Sequence, residues 1–276
     1  MGRQKRSYPV RRDLNRLFCG ILLALSALLI GSGLLFRSGR GDFRLESSPS
    51  PTELPLNERF DETMVTTELD LPSSAWYSLQ VGAYENEESA LQLAQQFRKR
   101  GAAGYLWHDG RFRVLAAVYL SRDDAQTVRD QLREQHSIDS YIYPIEFPSV
   151  KLRVSGMQGQ LEILKAAFGH VNALAKELHE VSNALDRQEL SADEALEKLN
   201  ALQVQMDLVA LRLKQRFVPP VPEVVQSMIV CFEEYSEFVS KLSETEAMVA
   251  LGMKLKYQTI SVLWDLKKIY MALSYT

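Results

Sequence analysis

An internal repeat in the middle of this 276-residue chain constrains its fold more strongly than any other feature. The segment Tyr77–Tyr84 aligns with Phe112–Tyr119 at a constant offset of 35 residues, and the same offset pairs Ala90 with Ala125. Each half reads as an alternating strand, a short polar turn and an amphipathic helix. Two such units predict a ferredoxin-like or RNP-like β-α-β-β-α-β domain over residues 75–148, with a four-stranded antiparallel sheet and both helices on one face.

The period of two along each strand assigns the side chains of the repeat to the two faces of that sheet. The face predicted to pack on the helices holds Tyr77, Leu79, Val81, Phe112, Val114 and Ala116. The opposite face, which we expect to be open to solvent, holds Trp76, Ser78, Gln80, Arg111, Arg113 and Leu115. The open face would offer a flat area to an extended ligand.

Two stretches of the repeat carry a resemblance to a known family. WYSLQVGAYENEESALQLAQQFRKRG and GRFRVLAAVYLSRDDAQTVRDQLREQH resemble the SPOR domain, the sporulation-related repeat of bacterial envelope proteins. The chain departs from the family pattern at Ala83, where Ser is frequent, and at Ala117-Val118, where Gly and Pro are usual. The resemblance implies binding of peptidoglycan glycan strands, preferably those without stem peptides, in cell division or sporulation.

The resemblance places a glycan-binding role on Gln80 and Arg113, which align with the family's binding strands. Strand parity and side-chain chemistry add five further candidates, which are Ser78, Trp107, Arg111, Tyr141 and Tyr143. Amide, hydroxyl and guanidinium groups can bond sugar hydroxyls, and aromatic rings provide apolar platforms for sugar rings.

Two points of this assignment stay open in the sequence. A slip of one residue in the last strand would turn Tyr141 and Tyr143 toward the helices and Ile142 outward. Trp107 is also a candidate for the hydrophobic core.

Charge and residue inventory disfavour two other functions. A four-stranded sheet with two helices on one face is also used to bind single-stranded RNA. Residues 76–147, however, contain eight Lys and Arg against ten Asp and Glu, whereas nucleic-acid readers are usually basic. The four histidines are scattered, and no phosphate loop, nucleophile elbow or zinc-spaced cysteine set occurs. We therefore predict a protein that is not an enzyme and has no metal, cofactor or nucleic-acid partner.

The N-terminus predicts a membrane anchor. Residues 1–16 hold six Lys and Arg against one Asp, and residues 17–36 (LFCGILLALSALLIGSGLLF) hold no charge. Twenty apolar residues can cross a bilayer, and the basic flank is expected to stay cytoplasmic. The alternative is a signal peptide cleaved near Gly31–Gly33, but the apolar run continues to Phe36 and is longer than usual for such a peptide.

Residues 37–74 are rich in Ser, Pro, Thr and acids, and they predict a flexible extracytoplasmic linker. Residues 149–276 predict an antiparallel four-helix bundle, because apolar positions recur there at steps of three and four. Ser191–Glu194 is a capping-box signature within that region. Leu263-Trp264 and Tyr270–Leu273 carry more apolar surface than one stripe needs, which suggests an interface with an envelope partner or a second copy.

These features together predict a single-pass membrane protein with its N-terminus cytoplasmic and its SPOR-like domain and bundle outside. The leading hypothesis is glycan binding through the SPOR-like sheet. The alternative is a membrane-tethered scaffold or sensor, in which that domain mediates protein contacts and does not bind glycan.

Overall fold

The computed structural model describes residues 63–242 and 247–273. Within them, the strands are β1 Met64–Leu71, β2 Ser74–Tyr84, β3 Tyr105–His108, β4 Phe112–Tyr119, β5 Tyr141–Phe147 and β6 Val150–Met157. The helices are α1 Glu87–Arg98, α2 Arg122–His136, α3 Gln158–Asp186, α4 Ala192–Arg216, α5 Glu223–Ser240 and α6 Met248–Leu273. The predicted anchor, residues 17–36, lies outside the described residues, among which no helix has the length and apolarity to cross a membrane.

The repeat folds as predicted, into an antiparallel sheet of order β3-β4-β2-β5 with α1 and α2 on one face. Both helices begin at polar caps in the turns, because Asn86 accepts from the Ser89 N–H and Ser121 accepts from the Asp123 N–H. On the helix side, Leu79 lies in one buried cluster with Phe97 and other apolar residues of α1 and α2. The predicted division of side chains between the two faces is therefore confirmed.

A two-stranded ribbon joins the sheet to the bundle, where the sequence predicted a linker and a helix. Strand β1 lies inside the predicted linker 37–74, and β6 lies at the start of the predicted bundle 149–276. The two strands pair antiparallel from Met64↔Met157 to Leu71↔Val150. Both predictions were wrong for these strands, because burial of Leu69 and Leu71 in the core favours an extended, paired chain over a solvated one.

The ribbon continues the register of the sheet. Ser74 pairs with Phe147 in the sheet, three positions beyond the last ribbon pair on each strand, so β1-β2 and β6-β5 form one interrupted antiparallel ladder. Pro72 and Pro148 lie in the interruption, where neither ring has to supply a ladder N–H.

Four helices follow the ribbon and form the predicted bundle. Helix α4 starts at a capping box, in which the Ser191 Oγ accepts from the Glu194 N–H and the Glu194 carboxylate accepts from the Ser191 N–H. The Tyr235 hydroxyl of α5 donates to the buried Leu199 carbonyl of α4 at 3.0 Å. Helix α6 packs on α3 and α5, and it also packs on β3 and β4.

Candidate functional site

The sheet face opposite α1 and α2 was predicted to be open, and it is half covered. Helices α3 and α6 of the bundle lie on it, and its side chains share one continuous hydrophobic core with the bundle. The seven buried members on the sheet side are Trp76, Tyr105, Trp107, Leu115, Val118, Ile145 and Phe147. The prediction of an open face is wrong for this half of the sheet, because the bundle buries its apolar side chains.

Aromatic pairs connect the sheet to the bundle. The Trp107 and Trp264 ring centroids are 4.7 Å apart in an edge-to-face arrangement, which is a favourable geometry for two aromatic quadrupoles. The Tyr105 and Tyr257 ring centroids lie 4.9 Å apart. The apolar surface of α6 that suggested an external partner is thus used on the sheet, where Tyr270 also meets Phe147.

A buried histidine lies at the same interface. His179 of α3 contacts the edge of Trp76 at 5.5 Å between ring centroids, and its Nε2 lies 2.9 Å from the Asn183 Nδ2. Burial lowers the pKa of His179 to about 4. The ring is therefore neutral at pH 7, as expected of a polar group packed between apolar layers.

Two of the predicted binding residues are buried under the bundle. Trp107 is 2 % exposed and Ser78 is 0 % exposed. The Ser78 Oγ donates to the Ala117 carbonyl at 3.0 Å, which satisfies it inside the sheet. Neither side chain is accessible to a ligand in this conformation, and the core reading of Trp107 is the one that the structure supports.

The other end of the same face is uncovered and carries a polar cluster. The Arg113 Nη1 donates to the Gln80 Oε1 at 2.9 Å, and the Arg113 Nε donates to the Asp109 Oδ1 at 2.8 Å. The guanidinium also lies over the Tyr143 ring, with 4.7 Å from Cζ to the ring centroid. The Tyr143 hydroxyl donates to the Asp109 carboxylate. Burial, followed by this bond, raises the pKa of Tyr143 to about 12.

The remaining predicted residues border this cluster. Tyr141 is 65 % exposed and pairs with Gln80 across β2 and β5. Ile142 lies in the helix-side cluster, so the open question of register is resolved: both tyrosines lie on the face opposite the helices. Arg111 is exposed in the turn before β4, and its guanidinium lies 3.8 Å from the Glu85 carboxylate.

The comparisons with known proteins bear on this domain. Residues 73–144 match the model of the family described as the SPOR domain. The chain contains a SPOR domain. No curated protein and no solved structure matches the chain. The SPOR match suggests peptidoglycan binding in a protein related to cell division, and it leaves the ribbon strand β6 and the bundle outside its limits.

The exposed part of the SPOR sheet thus brings together four of the seven predicted residues, with Arg111 in the adjoining turn, and it adds one that the prediction missed. That residue is Asp109, whose carboxylate holds both Arg113 and Tyr143 in place. A signal for it exists in the sequence, since Asp109-Gly110 is a dipeptide typical of a tight turn between two strands. The structure has that turn, with a φ of +94° at Gly110. The acid neutralises the guanidinium, so the cluster offers stacked planar surfaces and bonding groups without an unpaired cation.

The bundle is packed tightly on the covered part of the SPOR sheet. At about 1.5 kcal/mol for each of the seven buried side chains, exposing the sheet side alone would cost on the order of 10 kcal/mol. A ligand that binds with micromolar affinity supplies about 8 kcal/mol in total. Ligand binding is therefore too weak to displace the bundle, and the uncovered end is the accessible part of this face.

Proposed function

We propose that this protein is a membrane-anchored bacterial envelope protein that binds peptidoglycan glycan strands through the uncovered end of its SPOR sheet. The observation that carries the proposal is the cluster around Arg113, which lies on the exposed part of a domain whose family match suggests peptidoglycan binding. The protein has no catalytic role in this proposal. Its setting is cell division or sporulation.

The chemistry of the cluster suits a sugar chain. The Tyr141 ring is exposed and provides an apolar platform for a sugar ring, whereas the Tyr143 ring lies under the Arg113 guanidinium and holds that donor in place. Gln80 and Asp109 provide acceptors for sugar hydroxyls, and Arg113 provides donors. These groups already hold each other in position, which lowers the entropy cost of binding.

The anchor in this proposal is the apolar segment 17–36, with the basic residues 1–16 in the cytoplasm. The SPOR domain and the bundle then lie outside, on the side of the cell wall. The support for this part is the composition of the segment and the ligand class that the SPOR match suggests.

The test is sedimentation of the full chain, in mild detergent, with purified sacculi before and after enzymatic removal of stem peptides. We expect more protein in the pellet with the treated sacculi. Arg113→Ala and Tyr141→Ala should each weaken pelleting by about tenfold, the effect of losing one charged bond or one ring contact of about 1.4 kcal/mol. Lys176→Ala, on the exposed side of α3, is the matched control and should pellet like the unmodified chain.

Circular dichroism of each variant separates lost binding from lost folding. Background pelleting of the unmodified chain with both kinds of sacculi would refute the glycan proposal. Unchanged pelleting of both cluster variants would refute the assignment of the site.

The buried half of the sheet favours a second candidate function. Because Trp76 and Trp107 are core residues, the SPOR fold could serve as one layer of a scaffold for protein contacts. That candidate predicts no pelleting with either kind of sacculus, together with a folded chain by circular dichroism.

A further inference from the structure

Helix α4 carries an apolar stripe on its outward side, in addition to the one that it buries in the bundle. The buried side includes Met206 and Leu213. On the outward side, Val204 is 69 % exposed, Leu208 is 44 % exposed and Leu211 is 51 % exposed. A helix that is apolar on both sides normally has a neighbour on both sides.

The spacing of the outward stripe is that of a coiled-coil seam. Ala201, Val204, Leu208 and Leu211 follow each other at steps of three, four and three, and Ala201 is exposed like the others. These steps place Ala201 and Leu208 at positions a of a heptad, and Val204 and Leu211 at positions d. A seam of this kind can pack against the identical seam of a second copy of the chain.

The charges beside the stripe select both the partner and its direction. Beside the stripe, Asp207 occupies a position g and Arg212 occupies a position e. In a parallel pair, each g residue faces the e residue five positions later on the other helix, so Asp207 would meet Arg212 of the second copy. In an antiparallel pair, e faces e and g faces g, so like charges would meet.

We propose that the outward face of α4, Ala201 to Leu211, is a homodimer interface in which two copies of α4 pack in parallel about a two-fold axis along the helices. The seam is short, about 15 Å at 1.5 Å per residue. It is therefore at the small end of specific interfaces, and the dimer is weak and reversible. The bundle already holds α4 in its helical form, so association does not have to order it.

Disulfide cross-linking of the full chain in mild detergent tests this arrangement. All variants carry Cys19→Ser, and the native Cys231 is buried. Leu208→Cys places a thiol at a position a, which faces its own counterpart in a parallel pair. Gln226→Cys, at an exposed site on α5, is the control for random collision. We expect Leu208→Cys to form dimers with a yield about ten times that of Gln226→Cys, and equal yields would overturn the proposal.

Charge reversal tests the direction of the pair. In the Leu208→Cys background, Asp207→Lys or Arg212→Glu alone should lower the dimer yield, and the two together should restore it. Failure of the double reversal to restore the yield would overturn the parallel arrangement. Cross-linking in cells only to a different protein, with no homodimer, would also overturn the proposal. None of these readouts involves glycan, so a failure here leaves the proposed binding of glycan untouched.

Discussion

Replacing Trp107 with Ala should destabilise the SPOR domain and the bundle together. Trp107 is 2 % exposed, and its ring meets the edge of Trp264 across the interface. Truncation of a buried Trp to Ala typically costs about 3–5 kcal/mol, which combines lost transfer free energy with the cavity left behind. Because the sheet face and the bundle share one core, we expect that loss in a single transition for the whole described region.

The assay follows from the position of the tryptophans. The chain contains three, and all of them lie at the sheet–bundle interface, where Trp76 and Trp107 are buried and Trp264 is half-buried. Urea unfolding can then be followed by fluorescence, which reports the interface, and by far-ultraviolet circular dichroism, which is dominated by the helices. The two curves should coincide in the unmodified chain and in Trp107→Ala, with a lower midpoint and an unchanged slope in the variant.

Tyr141→Ala is the matched control, because Tyr141 is an aromatic residue of the same sheet face that is 65 % exposed. Its free energy of unfolding should change by less than about 0.5 kcal/mol. The reasoning is refuted if fluorescence changes well before circular dichroism, or if Trp107→Ala costs less than about 1 kcal/mol. The first result would mean that the bundle and the sheet unfold separately, and the second that Trp107 contributes little to the shared core.

Three further predictions concern folding. Because burial lowers the pKa of His179 below its ordinary value of 6.5 to about 4, the neutral ring's contribution to stability is complete above pH 6.5 and is lost as the pH falls toward 4. Between pH 7.5 and pH 4.5, the free energy of unfolding should therefore fall by about 2–3 kcal/mol more in the unmodified chain than in His179→Gln. An equal fall in the two proteins would contradict this. Gly104→Ala should lower the free energy of unfolding in urea by more than about 2 kcal/mol, since the φ of Gly104 is +53° and a Cβ would lie 2.4 Å from the Ala94 carbonyl oxygen. Gly110→Ala, at a φ of +94° with open space around it, should lower that free energy by about 1 kcal/mol. Equal losses in the two variants would refute the steric argument. The isolated segment 75–148 should bind the dye ANS and self-associate, because it lacks the bundle that buries its sheet face, and a monomer that does not bind the dye would count against that role of the bundle.

Sequence reasoning recovered the elements whose signal is local. The strand alternation and helix periodicity within each half of the repeat, and the capping box at Ser191, depend on residues a few positions apart, and the structure has all of them. The ribbon was missed although Val150, Leu152 and Val154 alternate with polar residues. An alternation of eight residues next to long helical periodicities is a weak signal, and its pairing partner lies about 80 residues earlier in the chain.

For the candidate site, the sequence by itself determined which side chains share a sheet face, because alternation along a strand is a property of the extended backbone. It therefore placed Gln80 and Arg113 on one side correctly, whereas it left the side of Tyr141 and Tyr143 open. Only the tertiary structure decided which part of that face is accessible to a ligand. Burial depends on what a distant segment packs against, and here that segment is α6, more than 100 residues after the sheet ends. The same packing made Trp107 a core residue and left the cluster around Arg113 partly exposed.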